Sequence, residues 1–282
     1  MRKIAMIAVA VTALFGVVAI AQASNTYTVT VATVSPKKAG TKLKPKPVTV
    51  NFGYQVGETN NNRPSVTTDY VIAFGKQIKS HRSFFKGSKV CTVSQAGYSS
   101  GQPPTCPATA KAGAGRIQNL AGNTTDPTSK IPCNLGLTLY VGDGKTVPAA
   151  ANDGIAVKND LVLAIKRVNV SDCALAVDAA LPAGFVTVTN GTALKFHVKK
   201  TPFQQPLPGV DNSVINVTSS VGKSTRVPTR VRVRGRLVTR LVTRGLFESI
   251  GCKSSVHKVN VAFTPAGGGA AINASKTAPC TK

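Results

Sequence analysis

The chain has 282 residues, with 35 lysines and arginines against 10 aspartates and glutamates, a formal charge of +25, 5% aromatic residues and no tryptophan. That balance excludes an acidic cation-gathering surface and an aromatic platform for stacking sugars or bases, and it suits a partner that is itself a polyanion. The length suffices for one large all-β domain or two small ones around a buried core.

Arg2 and Lys3 precede a charge-free apolar run over residues 4–20, which closes with Ala21-Gln22-Ala23. A basic start, an apolar core and small residues before the cut make residues 1–23 a secretory signal peptide, with Ser24 the expected mature N-terminus. A retained anchor is the rival reading, since the run is long enough for one. The Ala-x-Ala site favours cleavage, and no cysteine follows the run to take a lipid. The expected product is secreted, extracellular or cell-wall-associated, with no transmembrane segment left after cleavage.

Small polar and β-branched residues mix over 26–34, and residues 35–47 then carry Lys37, Lys38, Lys42, Lys44 and Lys46 among three prolines and Gly40. This predicts that residues 35–47 are extended, solvated and basic, within an extended basic N-terminal segment over 24–47 ahead of a β domain over 48–282. Val48, Val50, Phe52, Tyr54 and Val56 alternate with Thr49, Asn51, Gly53 and Gln55, the pattern of a strand with one buried face. Residues 70–74 continue as a short strand, and one helical turn is expected near 90–95. Further strands are expected at 135–141, 161–170, 186–188, 194–198, 214–217 and 256–263, and the Gly- and Ala-rich tail from 265 to 282 as loop. Strand runs separated by Gly, Pro, Asn and Asp clusters, with no long 3.6-residue period, predict an all-β antiparallel sandwich with long loops.

Six cysteines, Cys91, Cys106, Cys133, Cys173, Cys252 and Cys280, in an exported chain predict three disulfides. Six cysteines allow fifteen pairings. Sequential pairing is favoured, and closing the Cys91–Cys106 loop alone would contribute about 3 kcal/mol by chain entropy. No two cysteines stand two to four residues apart, so a metal role is not expected.

The strongest local oddity is residues 226–244, where Arg226, Arg230, Arg232, Arg234, Arg236, Arg240 and Arg244 alternate with Val, Leu and Thr and no acid occurs between Asn212 and Phe247. Val and Thr favour strand over helix here, and Gly235 supplies a turn, so the segment is expected to form a basic β-ribbon inserted in the domain. Guanidinium forks match phosphate and carboxylate, which makes the seven arginines, with Lys42, Lys44 and Lys46, the candidate polyanion-binding residues. The competing reading is a charged hairpin that merely resists edge-to-edge aggregation.

Other motifs carry less. Gly97-Tyr98-Ser99-Ser100-Gly101 has the G-x-S-x-G form, but a nucleophile elbow needs a helix next and Gln102-Pro103-Pro104 follows, so Ser99 is not expected to react. His81, His197 and His257 stand apart in sequence; His197 alternates with Lys195 and Lys199 as on a wet face, and His257 shares parity with Val259, Val261 and Phe263 as a core or edge residue. Asp172 and Asp178 flank Cys173 without forming a recognisable acid–base pair, and Gly113-Ala114-Gly115 lacks the rest of a phosphate loop and suggests a tight strand or turn. No catalytic residue, metal or cofactor is assigned.

The order of Lys44-Pro45-Lys46-Pro47-Val48, Asn51-Phe52-Gly53-Tyr54, Lys89-Val90-Cys91-Thr92, Cys106-Pro107, Ile131-Pro132-Cys133 and Phe247-Glu248-Ser249-Ile250-Gly251-Cys252 resembles a multi-copy group of exported, uncharacterised actinobacterial proteins. The resemblance implies a secreted, disulfide-bonded β protein and transfers no activity or site; within it, residues 226–244 stand where a shorter basic loop is expected. The functional expectation is a non-enzymatic surface protein that binds anionic cell-wall polymer or another polyanion, without specific nucleic-acid recognition. The alternatives are a secreted hydrolase of polysaccharide or ester with a site assembled from scattered residues, and an inert structural or adhesive surface protein.

Overall fold

Strand β1 (Asn25–Ser35) pairs antiparallel along its length with β2 (Lys46–Glu58), whose Val48, Val50, Phe52, Tyr54 and Val56 all point inward and are buried. The structure, a computed structural model, describes residues 24–97, 103–189, 191–233 and 236–282. It continues with β3 (Thr67–Ala73), β4 (Ile78–Ser80), a helical turn at Val93–Ala96, β5 (Lys111–Asn123), β6 (Ile131–Val141), the two-residue strands β7 (Thr146–Val147) and β8 (Val157–Lys158), and β9 (Leu161–Arg167). There follow β10 (Ala179–Val188), β11 (Gly191–His197), β12 (Val210–Val221), β13 (Ser224–Val233), β14 (Arg236–Gly245), β15 (Phe247–Ser249), β16 (Val256–Pro265) and β17 (Ile272–Pro279).

Thirteen of these strands join one antiparallel sheet, in the order β17-β16-β3-β11-β10-β9-β6-β5-β12-β2-β15-β4 with β1 on β2. The sheet folds over on itself as a sandwich, because its two ends share one aromatic core. Tyr70 on β3 has Phe196 of β11 and Phe263 of β16 directly opposite it in the two flanking strands. From the facing layer Tyr54 of β2 meets Tyr70 and Phe263 at 5.5 and 5.2 Å, and Tyr27 of β1 stacks on Phe263 at 4.4 Å. Rings in these arrangements add about 0.5–1.5 kcal/mol per pair beyond the area they bury. Burial also pushes the Tyr54 and Tyr70 hydroxyls well above their ordinary pKa, which keeps the core uncharged. Beside the rings, Lys276 of β17 donates its Nζ to the Thr30 carbonyl of β1 at 2.7 Å, tying together strands from the two ends of the sheet path.

The three disulfides join Cys91 to Cys106, Cys133 to Cys173 and Cys252 to Cys280, in sequential order as expected. Two expectations need correction. The segment 24–47 is not a lead-in separate from the β domain, although Lys37, Lys38, Lys42 and Lys44 are exposed as expected. Its first half is β1, and its second half is pinned to the C-terminus, where Thr281 N donates to Lys37 O and Ala39 N to Thr281 O while Ala39 packs on the Cys252–Cys280 bridge. The tail is not loop, since β17 pairs in continuous register with β16 from Phe263 opposite Ile272 to Val256 opposite Pro279. Of the two readings open for Gly113-Ala114-Gly115, strand or turn, the strand holds: the three residues lie in the long strand β5.

Strand β5 escaped the periodicity because close approach, not side-chain alternation, sets its sequence. A Cβ on Gly113 would lie 2.1 Å from the Ser220 carbonyl oxygen of β12, and one on Gly115 would lie 2.3 Å from that of Thr218. Only glycine lets the two backbones sit this close. Gly115→Val is therefore expected to destabilise the protein by about 3 kcal/mol in urea unfolding. Gly136→Ala on neighbouring β6, where the nearest atom to the new carbon is 3.7 Å away, should cost less than about 1 kcal/mol.

Candidate polyanion-binding ribbon

β12 ends at Val221, opposite Val50 of β2; the chain then leaves the body at Gly222, forms the two-stranded ribbon β13–β14, and returns at Gly245. Glycine is required at both feet: a Cβ on Gly222 would meet Thr49 Oγ1 at 2.4 Å, and one on Gly245 would meet the Phe247 carbonyl at 2.4 Å and Pro47 Cα at 2.9 Å. Register runs from Ser224 opposite Gly245 to Val233 opposite Arg236. Arg234 and Gly235, between the strands, lie outside the described residues.

Directly opposed residues in an antiparallel pair share a face, so the register sorts the arginines into two sets. One face carries Arg226, Arg230 and Arg232 on β13, across from Thr243, Thr239 and Leu237 on β14, with Pro228 opposite Leu241. All eight of these residues are exposed. The other face carries Arg236, Arg240 and Arg244, and it closes on the body toward its foot, where Thr225 is buried and Val227, Val242 and Arg244 are half-buried.

The foot is built around Glu248, which is fully buried on β15. Its Oε1 and Oε2 accept from Arg244 Nε and Nη2 at 2.8 Å each, and Oε1 also accepts from the Gly245 amide at 2.8 Å. His81 Nε2 stands 3.3 Å from Oε2, and the Arg244 guanidinium lies 4.3 Å from the centre of the Phe84 ring. Lys89 Nζ donates to Thr225 Oγ1 at 2.7 Å on the other strand. Arg244 is thus the clamp of the ribbon and not one of its free cations, a role that the acid-free run ending at Phe247 does not announce. Burial alone would raise the Glu248 pKa; the hydrogen bonds from Arg244 and Gly245 outweigh it and hold the carboxyl below its ordinary 4.5. For His81, burial, with Arg244 and Lys79 nearby, outweighs the attraction of Glu248 and lowers its pKa from 6.5.

Lys42 and Lys44 are exposed on a tight turn closed by Thr41 N to Lys44 O at 3.0 Å and Lys44 N to Thr41 O at 3.2 Å, while Lys46 is half-buried on β2 opposite Ser249. A Cβ on Gly40, next to this turn, would meet the Ser249 carbonyl at 2.5 Å. The lysine turn and the ribbon foot therefore leave the body side by side, at the N-terminal end of β2.

The other candidates resolve as packing. His197 is buried, not on a wet face: its Nδ1 is 3.1 Å from Asp69 Oδ1 and its Nε2 3.8 Å from Asp153 Oδ2, so both ring nitrogens face carboxylates. His257 is buried with Nδ1 unpartnered, and burial lowers its pKa. Asp178 accepts from the Arg167 amide at 2.8 Å and Asp172 from Asn169 at 2.9 Å. Ser99 lies outside the described residues. Between the layers is a cavity of about 90 Å³ with an overwhelmingly apolar lining, and no carboxylate borders it. Among the described residues no three His, Cys, Asp or Glu side chains gather to hold a metal, and no helix is long and apolar enough to cross a membrane. Comparison with protein-family models, curated proteins and solved structures finds no match to this chain.

Removing the acceptor under Arg244 is expected to be costly: Glu248→Gln should lower stability by about 3 kcal/mol at neutral pH, since it leaves a charge without its partner. The stability supplied by Glu248 is complete above 4.5 and lost as pH falls through its lower folded value; His81 adds a second loss, beginning below 6.5, where the unfolded chain takes up the proton first. Denaturant titrations across pH should show both losses in the parent, and the lower one should be missing from Glu248→Gln.

Proposed function

We propose that this protein is a secreted or cell-wall-associated, non-enzymatic β protein that binds phosphate- or carboxylate-bearing polymers through its basic ribbon and the neighbouring lysine turn. The observation that carries this reading is the outward ribbon face, where Arg226, Arg230 and Arg232 stand exposed in one row with no acid on either strand. Along the strand Arg230 and Arg232 are about 7 Å apart and Arg226 lies about 13 Å before Arg230, a row along which a flexible polyanion can bind several forks at once. Export agrees with three disulfides and with the Ala21-Gln22-Ala23 site, and the likeness to exported actinobacterial proteins points the same way. Hydrolysis has less behind it, because the carboxylates that meet His197 occupy both of its ring nitrogens, the Glu248 carboxylate beside His81 is taken by Arg244, and the interior cavity is apolar.

Affinity for purified anionic wall polymer should fall steeply with added salt, as counterion release loses its advantage. Replacing Arg226, Arg230 and Arg232 together with Ser should weaken binding at low salt by at least about tenfold, since even ~0.5 kcal/mol per exposed contact accumulates to that. The unfolding midpoint should stay in place. Unchanged affinity in the triple variant would reduce the ribbon to a charged hairpin that keeps the protein soluble.

A further inference from the structure

Charge alone does not account for the ribbon. Leu237 and Leu241 are 64% and 66% exposed on the same face as Arg226, Arg230 and Arg232, and Leu43, between Lys42 and Lys44 at the tip of the neighbouring turn, is 93% exposed. A hairpin kept merely soluble gains nothing from leucines held in water, and a polymer of phosphate or uronate offers them nothing to bury against. Exposed apolar side chains scattered singly need no account. Here, however, three leucines fall on the two basic projections that leave the body side by side at one end of β2. Each leucine is accompanied by cations: Leu237 lies opposite Arg232, Leu241 lies one pair from Arg230, and Leu43 is flanked by two lysines.

We infer that the anionic surface this end of the molecule fits is a phospholipid bilayer carrying anionic headgroups, with the arginines and lysines on the phosphates and Leu43, Leu237 and Leu241 in the headgroup–acyl boundary. This rests on the polyanion reading above and names its surface. Peripheral binding of this kind combines apolar insertion with attraction to anionic lipid, and neither part suffices alone. Each basic side chain near an anionic leaflet raises partitioning about fivefold. In this arrangement the projections lie on the bilayer surface and the disulfide-bonded sandwich stays in water.

The experiment measures co-sedimentation of the oxidised protein with phosphatidylglycerol and phosphatidylcholine vesicles, and in parallel its binding to soluble sodium polyphosphate. Three proteins are compared: the parent, the variant carrying Leu43→Ser, Leu237→Ser and Leu241→Ser, and the variant carrying Arg226→Ser, Arg230→Ser and Arg232→Ser. The parent should partition onto phosphatidylglycerol and not phosphatidylcholine. The leucine variant should lose at least about tenfold in vesicle partitioning while keeping its polyphosphate affinity. The arginine variant should lose both. A leucine variant that sediments with vesicles as well as the parent does, or a parent that binds polyphosphate but no vesicle, overturns the bilayer assignment and leaves polyanion binding standing. An arginine variant that retains both activities overturns the polyanion reading itself. Because all six replaced side chains are exposed, the variants should unfold at the parent's midpoint, which is checked on the same preparations.

Discussion

A carboxylate with no exposed surface, Glu248, decides how the most unusual part of this molecule is presented. Without it Arg244 would be one more loose cation on a ribbon joined to the body through two glycines. With it, two parallel hydrogen bonds, a backbone amide and a phenyl ring fix the foot of β14, and Lys89 fixes the foot of β13 from the other side. A bidentate pair is directional as well as strong, so it sets which face of the ribbon turns outward. Desolvating Glu248 is costly, and its compensation comes entirely from groups at the joint. The body supplies the rigid floor beneath this joint, because β15 is itself held between β2 and β4 and its Phe247 reaches Phe74 and Phe185 of the facing layer.

The consequence is a division of labour among residues of one type. Arg226, Arg230 and Arg232 face solvent, Arg236 and Arg240 occupy the opposite face, and Arg244 is spent on structure. Arg63, elsewhere, is buried and donates to the carbonyls of Ser129 and Asn123 at 2.7 Å each, so a high count of arginines is not a count of binding groups. The same holds for the lysines: those near the N-terminus stand on a turn whose ends are pinned to β15 and to the C-terminal residues. What reaches solvent at this end of the molecule is a small set of cations interleaved with leucines, a composition suited to a boundary between charge and hydrocarbon.

Much of this fold was legible in the sequence, and the parts that were not failed for identifiable reasons. The alternation of β2 announced a buried face, and the runs at β6, β9, β11 and β16 were found because their apolar residues line the core. β5 was not found: Gly113 and Gly115 carry its packing through backbone contact and leave no pattern of side chains. β17 was hidden by Gly-Gly-Gly at the turn before it and by its own mixed residues, most of which are exposed on an edge. β1 mixes small residues, and the lysines and prolines after it read as a solvated extended segment, whereas the closing contacts come from Lys37, Ala39 and Thr281, which no local pattern connects. At the candidate site the two strands of the ribbon were legible from the alternation of Arg with Val and Leu. The sorting of arginines between faces depends on hairpin register, and the capture of Arg244 depends on an acid four residues away that folding alone brings to it.

The most direct test of the outward arginine face is to follow the arginine Nε–Hε resonances of the oxidised protein by NMR while soluble polyphosphate is added at low salt. Guanidinium groups that donate to phosphate should shift with a common saturation curve at Arg226, Arg230 and Arg232. Arg63 and Arg244, already engaged with backbone carbonyls and with Glu248, should stay where they are. Shifts of equal size at every arginine, buried ones included, or no shift at the three outward residues, would contradict the account.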